Sequence, residues 1–123
     1  MLAKGVHHIS FCVSDLARSR DFYEGVLGFV PIERPDLGLP GVWYAAGSTE
    51  VHLIQAPAEV EVETPATALT PLANHSAFAV EDYAEALRHF KSRQIEVFET
   101  SPEAGQLWVR DPDGNVLEFI VRN

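Results

Sequence analysis

The chain has a single cysteine, Cys12, so no intrachain disulfide can form and a reducing compartment is expected. No apolar run approaches the roughly 20 residues that a membrane span needs. The N-terminal stretch "MLAKGVHHIS" puts a lysine and then two histidines where a secretory signal needs an apolar core. Export is therefore not expected, and the cytoplasm is the default. Basic residues are scarce: nine Lys and Arg stand against eighteen Asp and Glu, a formal charge of −9. Such a balance disfavours partnership with nucleic acid or an anionic membrane. No Gly-rich loop of the nucleotide-binding kind is present either.

What remains, 46% hydrophobic and 22% charged over 123 residues, suits one ordinary globular domain with a real core. Within it the chain repeats itself. "HHISFCVSD" (7–15) and "NHSAFAVED" (74–82) align at one constant offset, so that His8, Phe11, Val13 and Asp15 match His75, Phe78, Val80 and Asp82. Tyr23 and Phe90 keep the same offset.

Each copy predicts the same order of elements. Strand "HISFCV" leads to a helix in "SDLARSRDFYEGVLG", with Ser14 or Asp15 to cap its start and Gly28 to close its end. "FVPIER", "VWYAAG" and "EVHLIQ" follow as strands around a Gly/Pro-rich loop, 35–41. In the second copy "HSAFAV" is a strand and "EDYAEALRHFKSR" a helix with Asp82 and Glu85 at capping-box spacing. "IEVFET", "QLWVRD" and "NVLEFIV" are strands, and "DPDGN" is the turn before the last. Two βαβββ modules, 5–57 and 73–122, are thus expected, joined by a proline-containing linker, 58–72. At about 55 residues neither module holds much core alone, so the pair should form a single α+β domain over 1–123.

Alternation sorts the strand side chains into faces. His8, Ser10 and Cys12 share one face of the first strand, and Ile9, Phe11 and Val13 the other. His75, Ala77 and Ala79 repeat the small, histidine-bearing face in the fifth. His52 and Glu118 hold equivalent places in the last strand of each module, each flanked by apolar residues pointing away. A carboxylate at the centre of an apolar strand costs several kcal/mol if buried without a partner. Four polar residues at two repeated positions, three imidazoles and one carboxylate, make a candidate site for a divalent metal such as Zn²⁺, Ni²⁺, Fe²⁺ or Co²⁺. The competing reading is a set of satisfied core residues.

The stretches "HHISFCVSDLARSRDFYEGVLGF" (7–29), "EVHLIQAP" (50–57), "NHSAFAV" (74–80) and "RDPDGNVLEFI" (110–120) closely resemble the vicinal oxygen chelate superfamily. That superfamily includes glyoxalase I, methylmalonyl-CoA epimerase, fosfomycin- and bleomycin-resistance proteins and extradiol dioxygenases. The resemblance implies paired βαβββ modules forming an open, eight-stranded, cup-shaped sheet around a divalent ion (Zn, Ni, Fe, Co or Mn). It assigns His8, His52, His75 and Glu118 as ligands, from one chain or from two. It also implies a small-molecule substrate whose adjacent oxygens chelate the metal while an enediolate-type anion is stabilised.

A glyoxalase-like lyase or isomerase is the leading expectation. In glyoxalase I and the epimerase a glutamate or glutamine fills the slot of His52, which leaves Glu118 as the candidate catalytic base. The alternatives are an iron-dependent dioxygenase-like enzyme or a non-catalytic drug- or metabolite-binding resistance protein. Extradiol dioxygenases are typically longer than this chain, and bleomycin-binding members lack metal ligands. Ser10, Cys12, Trp43 and Trp108 are candidate substrate contacts, although both tryptophans equally suit core or dimer packing. Arg110 is expected to pair with Asp111 or Asp113, and His7 and His89 to be bystanders. Exposed edges of short open sheets, and the habit of relatives, point to a homodimer.

Overall fold

A computed structural model describes residues 1–62 and 68–121. The chain divides into two compact units, Met1–Glu63 and Thr64–Asn123. The stretch read as a linker, 58–72, therefore lies partly outside the described residues, as does the end of the second module. No helix among the described residues is long and apolar enough to cross a membrane.

The first unit runs β1 (His8–Val13), α1 (Leu16–Arg20), a π-helical segment (Asp21–Val26), β2 (Pro31–Ile32), β3 (Gly41–Ala46) and β4 (Thr49–Gln55). Its sheet order is β1-β4-β3-β2, with β1 parallel to β4 and the other pairs antiparallel. The second unit runs β5 (His75–Val80), α2 (Tyr83–Ser92), β6 (Phe98–Glu99), β7 (Gln106–Arg110) and β8 (Val116–Val121). Its order, β5-β8-β7-β6, is the same topology with the same strand directions. The repeat in sequence is a repeat in fold.

Capping follows the expected chemistry. The Asp15 side chain accepts from the Arg18 N–H, and that of Asp82 from the Glu85 N–H, each satisfying a donor with no partner inside its helix. Gly28 closes the first helix at φ +78°, a conformation nearly free of cost only for glycine. The first helix departs from simple α geometry: it widens over Asp21–Val26, where the Leu27 N–H donates to the Phe22 carbonyl at 3.0 Å. The consecutive aromatics Phe22 and Tyr23 are both buried there. Glu24, on the same segment, accepts from the Tyr44 hydroxyl at 2.7 Å and from Arg20 Nε at 2.6 Å. An ordinary turn of 3.6 residues does not present three consecutive side chains to one sheet, and widening is the usual local remedy.

Each unit buries one face of its sheet beneath its helix. Val13, Tyr44, Val51 and Leu53 are fully buried in the first, and Leu107, Val109 and Leu117 in the second. Tyr23 stacks near Tyr44 and Phe11, while Phe90 packs on Phe119 with ring centres 5.0 Å apart. Burying each such side chain contributes about 1.5–3 kcal/mol. The opposite faces of β1 and β5 stay open: His8, Ser10 and Cys12, and likewise His75, Ala77 and Ala79, are exposed. The turn before β8 is held by Asp111, whose carboxylate accepts from the backbone N–H groups of Asp113 and Asn115 and from Asn115 Nδ2.

Candidate functional site

Strand register brings the predicted residues into two matching rows. In the first sheet Ser10, His52 and Trp43 are neighbours across β1, β4 and β3. In the second, Ala77, Glu118 and Trp108 are neighbours across β5, β8 and β7. His8 and His75 each stand two residues before the row. Each unit gathers its own four of these residues, with the two tryptophans, which the sequence left open between cleft and core, beside His52 and Glu118.

In the second unit His75 and Glu118 meet. His75 Nε2 lies 2.9 Å from Glu118 Oε1, and His75 Nδ1 lies 2.7 Å from the Ala73 carbonyl oxygen. A carbonyl only accepts, so Nδ1 carries a proton and donates it. In the neutral imidazole, Nε2 then holds a lone pair that faces a carboxylate oxygen, an arrangement that either a shared cation or a proton on Nε2 makes favourable. Two donors each about 2.1 Å from one octahedral ion and at a right angle stand about 3 Å apart. The spacing of His75 and Glu118 therefore fits a shared divalent ion. Glu118 is only 6% exposed, and its second oxygen accepts from Gln106 Nε2 at 3.1 Å. Trp108 meets His75 edge-on, with ring centres 6.1 Å apart. Among the described residues its buried indole N–H has no hydrogen-bond partner.

In the first unit His8 and His52 meet differently. Their rings stack with centres 4.0 Å apart, and Trp43 covers the other side of His52 at 4.2 Å. His52 is buried, and its Nε2 bonds Glu50 Oε1 at 2.9 Å. That hydrogen bond holds the Glu50 carboxyl below its ordinary value, helped by the fields of His52, His7 and His8. Cys12 is an exposed free thiol. Among the described residues no group of three or more His, Cys, Asp or Glu side chains is placed to hold a metal ion. What each unit supplies is a pair of donors.

Three residues carry more than the sequence suggested. Glu50 and Gln106 were not singled out, although each lies two residues before a predicted site residue on the same strand face, and that spacing was the available signal. His7, expected as a bystander turned away, bonds His8 through the two Nδ1 atoms at 2.8 Å. The alternation argument does not reach it, because β1 begins at His8. Arg110 pairs with Glu96, which the sequence reading had not named, and His89 lies against Phe90 on α2.

Two βαβββ units of one topology, each with an imidazole on its first strand and a metal-competent side chain on its last, define a class of protein. The chain belongs to the Glyoxalase/Bleomycin resistance protein/Dioxygenase superfamily, whose family model matches residues 5–119. It is 33% identical over 120 residues to "Glyoxylase I 4" of Arabidopsis thaliana, an alignment spanning 93% of this chain and 68% of that protein. It is 28% identical to metallothiol transferase FosB of Staphylococcus epidermidis, across 93% of this chain and 79% of the relative. The solved trypanothione-dependent glyoxalase I of Leishmania major shares its fold, with a TM-score of 0.77 at 22% identity over 97% of this chain and 87% of that one.

Proposed function

We propose that the protein is a glyoxalase-type lyase or isomerase. It holds one divalent metal through His8, His52, His75 and Glu118 and acts on a small substrate with adjacent oxygens. The observation that carries this reading is His75 Nε2 set 2.9 Å from the buried Glu118 carboxylate, the spacing of two donors on one ion. The relationship to a glyoxylase I at 33% identity supports the choice of reaction class. Modules 5–57 and 73–122 act as halves of one domain, and the donor pairs of the two halves complete the site within one chain or across a homodimer.

When bound, a divalent ion supplies Lewis-acid stabilisation for the negative charge that develops on a substrate carbonyl oxygen. The chain's own residues do the rest. Glu118 accepts the proton from the carbon beside that carbonyl and returns it to the neighbouring carbon, so the substrate is rearranged with no net change in protonation. Gln106 holds the second Glu118 oxygen and keeps the carboxylate oriented. Ser10, Cys12, Ala77 and Ala79 leave room beside the donors, and Trp43 and Trp108 wall the substrate space.

The test is to reconstitute the purified protein with Zn²⁺, Ni²⁺, Co²⁺, Fe²⁺ or Mn²⁺ and assay hemithioacetals of methylglyoxal and glutathione. Catechols with O₂ and a thermal-shift ligand screen run alongside. Turnover that Glu118→Gln abolishes is the expected result. Catechol cleavage requiring Fe²⁺ would replace this reading with a dioxygenase. Ligand-induced shifts without turnover under any metal would replace it with a binding protein.

A further inference from the structure

The two open faces are near copies, and where they differ is informative. The last strand of each unit places one polar side chain beside the tryptophan, His52 in the first and Glu118 in the second. Two residues earlier on the same face stand Glu50 and Val116, which pair in register with His8 and His75 respectively. A carboxylate ligand has equivalent oxygens and needs no further instruction. An imidazole ligand has two chemically distinct nitrogens, and one of them must be chosen. The acidic neighbour is found only in the unit that carries the imidazole.

We propose that Glu50 is a positioning residue that fixes His52 in its Nε2–H tautomer, so that His52 offers Nδ1 as its metal donor. The inference rests on the metal reading above. The 2.9 Å contact joins His52 Nε2 to a carboxylate oxygen, and an ionised carboxylate can only accept, so Nε2 must donate. The lone pair of the neutral ring is thereby left on Nδ1. Stacking between His8 and Trp43 fixes the plane of the ring, and the bond to Glu50 fixes which edge faces which way. Carboxylates that accept from the distal N–H of a ligating histidine set ring orientation and raise its basicity. The second unit uses the same device with the opposite outcome: the Ala73 carbonyl accepts from His75 Nδ1–H, which leaves Nε2 as the nitrogen for a metal. His52 and His75 are thus set to offer opposite ring nitrogens.

The experiment is nitrogen NMR of ¹⁵N-histidine-labelled full-length protein, before and during titration with Zn²⁺, for the wild type, Glu50→Gln and His52→Ala. Calorimetric Zn²⁺ affinities and melting temperatures accompany it. The expected result is Nε2–H His52 in the metal-free wild type, with Zn²⁺ shifting its Nδ1 resonance. Glu50→Gln, whose amide can donate or accept, should give mixed tautomers and bind Zn²⁺ about 10–100-fold more weakly, melting like the wild type. Three results overturn the proposal: Nδ1–H His52 in the wild type, Zn²⁺ on Nε2, or unchanged tautomer and affinity in Glu50→Gln. If His52→Ala still loses Zn²⁺ in that last case, the metal reading survives without it. A wild type that takes up no Zn²⁺ overturns both the metal reading and the ligand role given to His52, even if the tautomer is as expected.

Discussion

Replacing Glu118 by glutamine should separate folding from metal binding, because the surroundings of Glu118 accept an amide as readily as a carboxylate. Gln106 Nε2 donates to Oε2, and His75 Nε2 presents its lone pair to Oε1. A glutamine placed with its amide oxygen toward Gln106 and its amide nitrogen toward His75 keeps both contacts and creates none that clash. The Gln106 bond becomes neutral, losing about 1 kcal/mol of charge assistance, while the amide nitrogen donates to the His75 lone pair. The substitution also removes the cost of burying a carboxylate that is only 6% exposed, a term of opposite sign and several kcal/mol at most. The net change in metal-free stability is expected within about 1 kcal/mol, or about 4 °C in melting temperature for a domain of this size.

Metal affinity should behave otherwise. Losing even an outer partner of a ligand costs about 10–100-fold, so loss of the charged ligand itself should weaken Zn²⁺ by at least about 100-fold. Glu118→Ala provides the contrast, since it orphans the Gln106 amide and opens a cavity, for about 2–4 kcal/mol. Thermal melts in chelator and calorimetric Zn²⁺ titrations read the two quantities separately. The reasoning is refuted if Glu118→Gln melts more than about 10 °C low in chelator, or if it binds Zn²⁺ within threefold of the wild type.

Glu24→Ala should destabilise the first unit by about 1–3 kcal/mol in denaturant melts, since it strands the hydroxyl of the fully buried Tyr44. The same network predicts a pH window. The Arg20 hydrogen bond holds the Glu24 carboxyl below its ordinary 4.5, so its contribution is present above that value and fades as pH falls through the lowered one. Burial first, then the Glu24 carboxylate, raise the Tyr44 hydroxyl above its ordinary 10.0. Its contribution is therefore complete below pH 10.0 and is lost only in stronger base. Gly41→Ala should also destabilise, because a Cβ there would run into the Leu53 carbonyl oxygen, and an unchanged melt would count against the described β3–β4 spacing. Sedimentation at micromolar concentration should give about twice the 13.6 kDa chain mass, and a value near one chain mass would exclude the homodimer.

Much of the fold was legible because the sequence states it twice. One βαβββ reading is a weak inference from alternation, but two in fixed offset constrain each other, and the observed strand orders agree unit by unit. The short strands were less legible. "FVPIER" and "IEVFET" both read as full strands, yet only Pro31–Ile32 and Phe98–Glu99 pair. They are the last strands in their sheet orders, where Pro31, with no N–H to give, is tolerated. The widened turn at Asp21–Val26 was not legible either. Apolar spacing marks which side chains face the core, but the hydrogen bonds from Tyr44 and Arg20 to Glu24 come from tertiary contact and helix geometry together.

The candidate site divides along the same line. Glu118 could be found from sequence because a carboxylate amid Val116, Leu117, Phe119 and Ile120 contradicts its surroundings, and the contradiction asks for a partner. Glu50 contradicts nothing. It stands near the start of a strand after a polar turn, where a glutamate is ordinarily solvated, and its side chain remains about a third exposed at 32%. Its role depends on which residues lie beside it across β1 and β4, a matter of register rather than of local pattern. His52 and Glu50 therefore have to be read together. A histidine in the place where the resemblance leads one to expect a carboxylate or amide is a loss only while that position is considered alone. With the carboxylate two residues away and bonded to the ring, the acidic group has not left the face. On the proposed reading it stands where it decides how a ligand is presented.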